Sequence, residues 1–148
     1  MRKLNFPAYT FRFKNSENGI RIFDVIRKKF VVLQPEEWVR QHMVHYLLEE
    51  KGYPKSLMNV EKQLLVNSIK KRYDIVVFNP QGTIHILVEC KAPDISISQD
   101  TFDQIARYNL GLDSAYLVVT NGLDHYYCKM DWEREKYQFL GHIPDFSR

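Results

Sequence analysis

The first part of the chain alternates apolar and polar residues, which predicts a small β-hairpin. Residues 9–14 place aromatic side chains at every second position, as expected of a strand with one buried face. Turn-forming residues occupy positions 15–19, and the alternation resumes at 20–24. We therefore predict that 9–14 pairs with 20–24, within an N-terminal β extension that covers residues 1–30.

A helical period replaces the alternation after residue 34. Pro35 fits the first turn of a helix, and Glu36 and Glu37 suit its positive N-terminal end. Apolar residues then recur at helical spacing until Gly52 stops the pattern. We predict the first main helix over residues 36–51.

The rest of the chain predicts a hairpin, a second helix and two further strands. Residues 57–65 have no clear period, and strand is slightly favoured over helix there. Two β-branched runs, 72–78 and 83–91, flank a turn at 79–82 that contains proline and glycine, which predicts a β-hairpin. A helix at 101–110 and strands at 115–120 and 125–130 follow.

Composition narrows the class of protein. A length of 148 residues is typical of one domain, and no stretch approaches the roughly 20 apolar residues of a membrane-spanning helix. Two cysteines in strand-like runs predict reduced thiols rather than a disulfide framework, so we expect a cytoplasmic protein. A net charge of +3 permits a nucleic-acid partner but does not require one.

The central hairpin contains the candidate chemistry. Glu89 and Lys91 are two apart on one strand and so share a face, while the hairpin brings Asp74 opposite the end of that strand. Two neighbouring carboxylates repel each other, and a divalent cation such as Mg²⁺ relieves the repulsion. The backbone carbonyl of Cys90 is a further possible ligand. Taken singly, each charge is more simply explained as a solvated strand residue.

The combination of motifs resembles the PD-(D/E)XK nucleases, and within them the N-terminal nuclease domain of type I restriction enzyme R subunits. The similarity spans about three quarters of the chain. The motifs that carry it are Pro35-Glu36-Glu37-Trp38-Val39-Arg40-Gln41, Gly52-Tyr53-Pro54, Arg72-Tyr73-Asp74-Ile75-Val76-Val77, Val88-Glu89-Cys90-Lys91-Ala92-Pro93 and Gln104-Ile105-Ala106-Arg107-Tyr108. A lone Glu-x-Lys is a weak signal, whereas this ordered series is specific.

The resemblance implies a fold and a set of site residues. The fold is α/β, restriction-endonuclease-like, with a central mixed sheet flanked by helices and a core over residues 35–130. The implied catalytic residues are Asp74, Glu89, Lys91 and Glu37, with Asp74, Glu89 and the Cys90 carbonyl as metal ligands and Gln104, Tyr108 and Arg40 as substrate-binding residues. Glu37 is preferred to its neighbour Glu36 from its offset to Gly52, but the choice stays open at this stage.

The function implied is that of a metal-dependent DNA endonuclease that uses Mg²⁺, with Mn²⁺ as a substitute. The expected partners are DNA, other restriction or repair subunits and a second copy of the chain in a homodimer, with no membrane. No G-x-x-x-x-G-K-[ST] motif occurs, so ATP-driven translocation is not expected of this chain. The alternatives are a non-catalytic DNA-binding or assembly module of a larger complex, and RNA in place of DNA.

Overall fold

The computed structural model describes residues 1–147, and within them the chain forms nine strands and two α-helices. A single π-helical turn, Tyr46–Glu50, continues the first helix, and a short 3-10 turn occupies Lys55–Leu57. The strands are β1 Phe13–Ser16, β2 Gly19–Asp24, β3 Lys29–Val32, β4 Met58–Val66, β5 Ile69–Phe78, β6 Ile84–Cys90, β7 Tyr116–Thr120, β8 His125–Asp131 and β9 Lys136–Leu140, and the helices are α1 Pro35–His45 and α2 Gln99–Tyr108.

The N-terminal strands form a separate antiparallel sheet in the order β1, β2, β3. The predicted hairpin is confirmed, but its first strand begins at Phe13 rather than at residue 9. Tyr9 and Phe11 instead lie against α1, where both rings approach the imidazoles of His42 and His45. The third strand, β3, was not predicted from the sequence.

The first helix follows the predicted pattern and ends where the glycine indicated. Gly52 has a φ of +74°, a left-handed conformation that glycine adopts without the steric cost of a side chain. The apolar face of the helix, including Val39, Met43 and Leu47, is fully buried against the central sheet. The predicted first main helix is therefore confirmed, with its last turn wound as a π-helix.

Six strands form the central sheet in sequence order from β4 to β9. All neighbours are antiparallel except β6 and β7, which are parallel and are connected through α2. One apolar cluster lies between α1 and the sheet, and a second, containing Phe102 and Ala106 of α2, lies on the other face. The predicted α/β architecture, a mixed sheet flanked by helices, is confirmed, and β9 extends the sheet past residue 130.

Within residues 1–147, no helix has both the length and the apolar character needed to cross a bilayer. The two cysteines are free and buried: Cys90 belongs to the cluster beneath α1, and Cys128 belongs to the cluster beneath α2.

Asp24 connects the N-terminal sheet to α1. The residue ends β2 and is fully buried, and one carboxylate oxygen accepts hydrogen bonds from the backbone N–H groups of Ile26 and Arg27, both at 2.8 Å. The other oxygen accepts from the Arg27 guanidinium at 2.6 Å and from the Gln41 amide at 3.0 Å. Burial opposes ionisation of Asp24, but these hydrogen bonds outweigh it, and the pKa of Asp24 lies below its ordinary value.

Replacing Asp24 with asparagine should reduce the free energy of unfolding by about 2–4 kcal/mol, because Arg27 loses a buried charged partner. Since the pKa of the native carboxyl is lowered, its contribution is present above the unfolded value and is lost as pH falls below about 3.8. Urea unfolding of wild type and Asp24→Asn at pH 7 and pH 3 measures both effects. Asp145→Asn, at a carboxylate that is 79% exposed, is the matched control and should change stability little at either pH.

Candidate active site

Asp74 lies on β5 and joins that strand to both α1 and β6. Its Oδ1 accepts hydrogen bonds from Arg40 Nη2 at 2.7 Å and from Arg40 Nε at 3.2 Å. Its Oδ2 accepts the backbone N–H of Cys90 at 2.8 Å, in place of a bond between the two strands. The N–H and C=O groups of one strand residue point the same way, so the Cys90 carbonyl is also directed toward β5.

Glu89 lies close to Asp74, as the sequence predicted. Ile75 of β5 and Val88 of β6 form the last antiparallel pair at this end of the hairpin, and Asp74 and Glu89 are the residues directly beyond it, one on each strand. Burial and then the negative charge of Asp74 together raise the pKa of Glu89 to about 8, against the opposing effect of Lys91. A pKa of about 8 means that Glu89 keeps its proton at neutral pH.

Lys91 directly follows the end of β6. Its backbone N–H donates to the Thr120 carbonyl at 2.8 Å, which holds it beside β7. In the described part of the chain, its ammonium group forms no ion pair within 4 Å, although it influences the pKa values of both Glu89 and Glu36. Lys91 is thus a partly exposed cation beside two acids.

The two adjacent acids at the start of α1 occupy different environments. Glu37 is buried, and its Oε1 pairs with Arg27 and Arg40 at 2.8 Å each, while its Oε2 accepts from Gln41. Glu36 is exposed at the surface, and its pKa is raised by partial loss of hydration and then by the negative charge of Asp74. Glu37 is connected to Asp74 through the shared Arg40, whereas Glu36 lies within the electrostatic influence of Asp74 and Lys91, so the choice of Glu37 as the helix acid stays a prediction.

Arg40 is a buried partner of three carboxylates. Besides Asp74, it pairs with Glu37 and with Glu61 Oε1, each at 2.8 Å, and only 7% of the residue is exposed. These contacts occupy most of the N–H donors of the Arg40 guanidinium, which a substrate phosphate would need. The expected substrate contact at Arg40 therefore stays a prediction, and its surroundings do not support it.

Glu61 was missed by the sequence analysis. It lies on β4 with a φ of +56°, at a position where the pairing with β5 is interrupted between Val60–Ile75 and Lys62–Tyr73. This distortion accompanies the turn of its carboxylate toward Arg40. No sequence signal marks the residue, because the segment 57–65 has no clear period and Glu61 reads as an ordinary strand charge.

Gln104 and Tyr108 are exposed and share one face of α2, as their spacing predicted. The Lys71 ammonium lies 3.3 Å from the centre of the Tyr108 ring and donates to the Tyr108 carbonyl. Tyr73 connects this region to the hairpin: burial, then Glu89 and then Tyr108, raises its pKa to about 12. The Tyr73 hydroxyl is buried without a hydrogen-bond partner, and it was also missed from the sequence.

The described residues contain no group of three or more His, Cys, Asp or Glu side chains arranged to hold a metal ion. The donors that do converge are the carboxylates of Asp74 and Glu89. This set suits Mg²⁺, which prefers oxygen ligands, commonly uses one or two carboxylates and retains several waters. The raised pKa of Glu89 indicates the same need for positive charge.

Residues 35–144 match the family described as type I restriction enzyme R protein N terminus (HSDR_N). The match covers most of the chain, and the chain belongs to this family. The predicted resemblance is confirmed, and with it the restriction-endonuclease-like fold.

One similar solved structure is a fragment of a protein assigned as an HsdR subunit of a type I restriction enzyme from Vibrio vulnificus YJ016. Identity is 20% and the TM-score is 0.46, over 69% of this chain and 22% of that one. The present chain therefore spans about a fifth of the length of that relative. No curated protein matches the chain.

Replacing Asp74 with asparagine should lower the pKa of Glu89 from about 8 by about one unit or more, because the neighbouring negative charge is removed. Carbon-detected NMR titration of the glutamate carboxyl groups measures the change directly. Asp94→Asn, at an exposed acid three residues after Lys91, is the control and should leave the Glu89 midpoint in place. A Glu89 midpoint near 4.5 in wild type would contradict the close approach of the two carboxylates.

Proposed function

We propose that this chain is a metal-dependent DNA endonuclease domain that hydrolyses phosphodiester bonds with Mg²⁺ or Mn²⁺. The observation that carries the proposal is the nearness of Asp74 and Glu89 at one end of the hairpin, where burial and then the charge of Asp74 raise the pKa of Glu89 to about 8. Lys91 lies beside them with no carboxylate within ion-pairing distance among the described residues. Membership of the R protein N-terminal family supports the same chemistry.

Asp74 and Glu89 would hold the cation, with the Cys90 carbonyl as a third oxygen and waters completing the shell. A divalent cation at this position supplies stabilisation of the negative charge that develops on the phosphate. Binding requires Glu89 to lose its proton, so affinity for the cation should increase as pH rises toward 8.

Lys91 and Glu36 would act beside these acids. The Lys91 ammonium donates hydrogen bonds that orient the attacking water and the phosphate oxygen it approaches. Glu36 is exposed and within the electrostatic influence of both Asp74 and Lys91, so its carboxylate can accept a hydrogen bond from water at the edge of the site. We assign Glu36 the role that the family pattern gives to the helix acid.

Arg40 would act through Asp74 rather than on substrate. Its guanidinium holds Asp74 Oδ1 from two nitrogens and so fixes the direction in which the carboxylate faces β6. Gln104 and Tyr108 are proposed DNA contacts, since both are exposed and Tyr108 lies beside Tyr73, which neighbours Glu89. Cleavage of both strands of a duplex calls for two sites, supplied by a homodimer or by other subunits of a restriction or repair complex.

The decisive experiment incubates the purified protein with supercoiled plasmid, single-stranded DNA and RNA in Mg²⁺ and in Mn²⁺. Wild type should cleave DNA, and Asp74→Asn and Lys91→Ala should each reduce the rate by 100-fold or more, on the order of the loss expected for a catalytic group. Calorimetric titration of the metal alone should show binding by wild type that Asp74→Asn abolishes. DNA binding without metal binding or cleavage would instead favour a non-catalytic module.

The assignment of the helix acid has its own test in a matched pair of variants. Glu36→Gln should reduce cleavage while leaving the unfolding midpoint in urea unchanged, because the residue has no hydrogen bond to another described side chain. Glu37→Gln should lower the unfolding free energy by about 1–3 kcal/mol, because it weakens the pairs with Arg27 and Arg40. The opposite pattern would restore Glu37 as the helix acid.

A further inference from the structure

The outer face of the N-terminal sheet combines aromatic rings with unpaired cations. Ile22 is fully buried, so its neighbours along β2, Arg21 and Phe23, point to the opposite, outer face. The strand register places Phe30 beside Phe23 and Lys14 beside Arg21. Arg12, just before β1, completes this face, which we call the basic face and define by Arg12, Lys14, Arg21, Phe23 and Phe30.

The cations of the basic face are held over its rings. The Arg12 guanidinium carbon lies 4.5 Å from the centre of the Phe23 ring and 5.6 Å from that of Phe30. The Lys14 ammonium lies 5.8 Å from the Phe30 ring. Attraction to the ring faces restricts these long side chains and reduces the entropy that they lose on binding an anion. Because Arg12 covers the rings, this face suits phosphate contacts better than base stacking.

No acid neutralises the basic face. Among residues 1–147, Arg12, Lys14 and Arg21 form no ion pair within 4 Å, and neither do Lys28 and Lys29 at the adjacent turn. Arg27, in the same segment, differs because it is turned inward to Asp24 and Glu37. A surface with several cations and no carboxylate partner is electrostatically complementary to a polyanion.

The basic face adjoins the candidate active site. Val32 pairs with Arg21 and shares its face, and it also lines a groove of about 330 Å³ whose other walls include Glu36, Arg40 and Glu61. Val32 therefore connects the basic face to the edge of this groove. The sheet also lies outside residues 35–144, the part that matches the family.

We propose that the basic face binds the phosphate backbone of DNA and guides the strand toward the groove beside Glu36. The proposal rests on the proposed nuclease function for its choice of DNA, and it deepens that function by naming a substrate-holding surface. The contacts are to phosphates, so binding should be insensitive to base sequence and strongly weakened by salt.

The test measures binding of fluorescent 20-base-pair DNA by anisotropy in EDTA, where no cleavage occurs, over a range of salt concentrations. The triple variant Arg12→Gln, Lys14→Gln, Arg21→Gln should bind on the order of 10-fold more weakly, and its log–log salt slope should fall by about 2 to 3. The matched control, Lys129→Gln, Arg134→Gln, Lys136→Gln, removes the same charge from the β8–β9 hairpin at one edge of the central sheet and should bind like wild type.

Equal loss in both triple variants would show that only net charge matters and would overturn the proposal, as would wild-type binding by the Arg12 triple variant. Loss of affinity for an RNA duplex but not for DNA would overturn the choice of partner. Circular dichroism checks the fold of each variant, and Lys14→Gln with Arg21→Gln replaces the triple variant if that protein unfolds. Calorimetric titration of Mg²⁺ into the Arg12 triple variant without DNA reports on the candidate metal site alone and should match wild type, so failure of catalysis and failure of this surface give different results.

Discussion

The buried guanidinium of Arg40 is the interaction on which the arrangement of the site depends. A buried cation must be paired, and Arg40 is paired with carboxylates from α1, β4 and β5 at once. The chain of alternating charges continues through Glu37 to Arg27 and ends at Asp24 of the N-terminal sheet. Apolar packing brings these elements together, but the charges determine how each is rotated, and so where Asp74 points.

This network leaves the site short of positive charge. Arg40 is committed to Asp74 and to two further acids, so Glu89 remains beside Asp74 without a direct cationic partner, and protonation is the available response. Protonation relieves the repulsion between the two carboxylates only up to about pH 8, and a proton provides no coordination sites for phosphate. A divalent cation satisfies the same deficit and adds those sites, which is the physical reason to connect the raised pKa of Glu89 with metal-dependent chemistry.

The hairpin that carries Asp74 and Glu89 was predictable because strand alternation and a proline-glycine turn are local signals, and they determine which residues lie opposite. The choice between Glu36 and Glu37 could not be predicted from the sequence. Neighbouring helix residues point about 100° apart, and which one faces the hairpin depends on how the buried face of α1 is rotated against the sheet. The role of Glu61 could not be predicted for a related reason. The direction of its side chain depends on a local break in strand pairing.

Overall charge concealed a strong separation of charge within the fold. A net charge of +3 reads as nearly neutral, yet Glu36, Glu37 and Glu61 line one groove, and Asp74 pairs with the Arg40 of that groove. The cations of the basic face lie on the separate N-terminal sheet. The acids would repel DNA if they stood alone, because phosphates and carboxylates carry the same sign. In the proposed function, cations at the rim would offset that repulsion without neutralising the acids themselves, and an acidic groove would thereby become compatible with a polyanionic substrate.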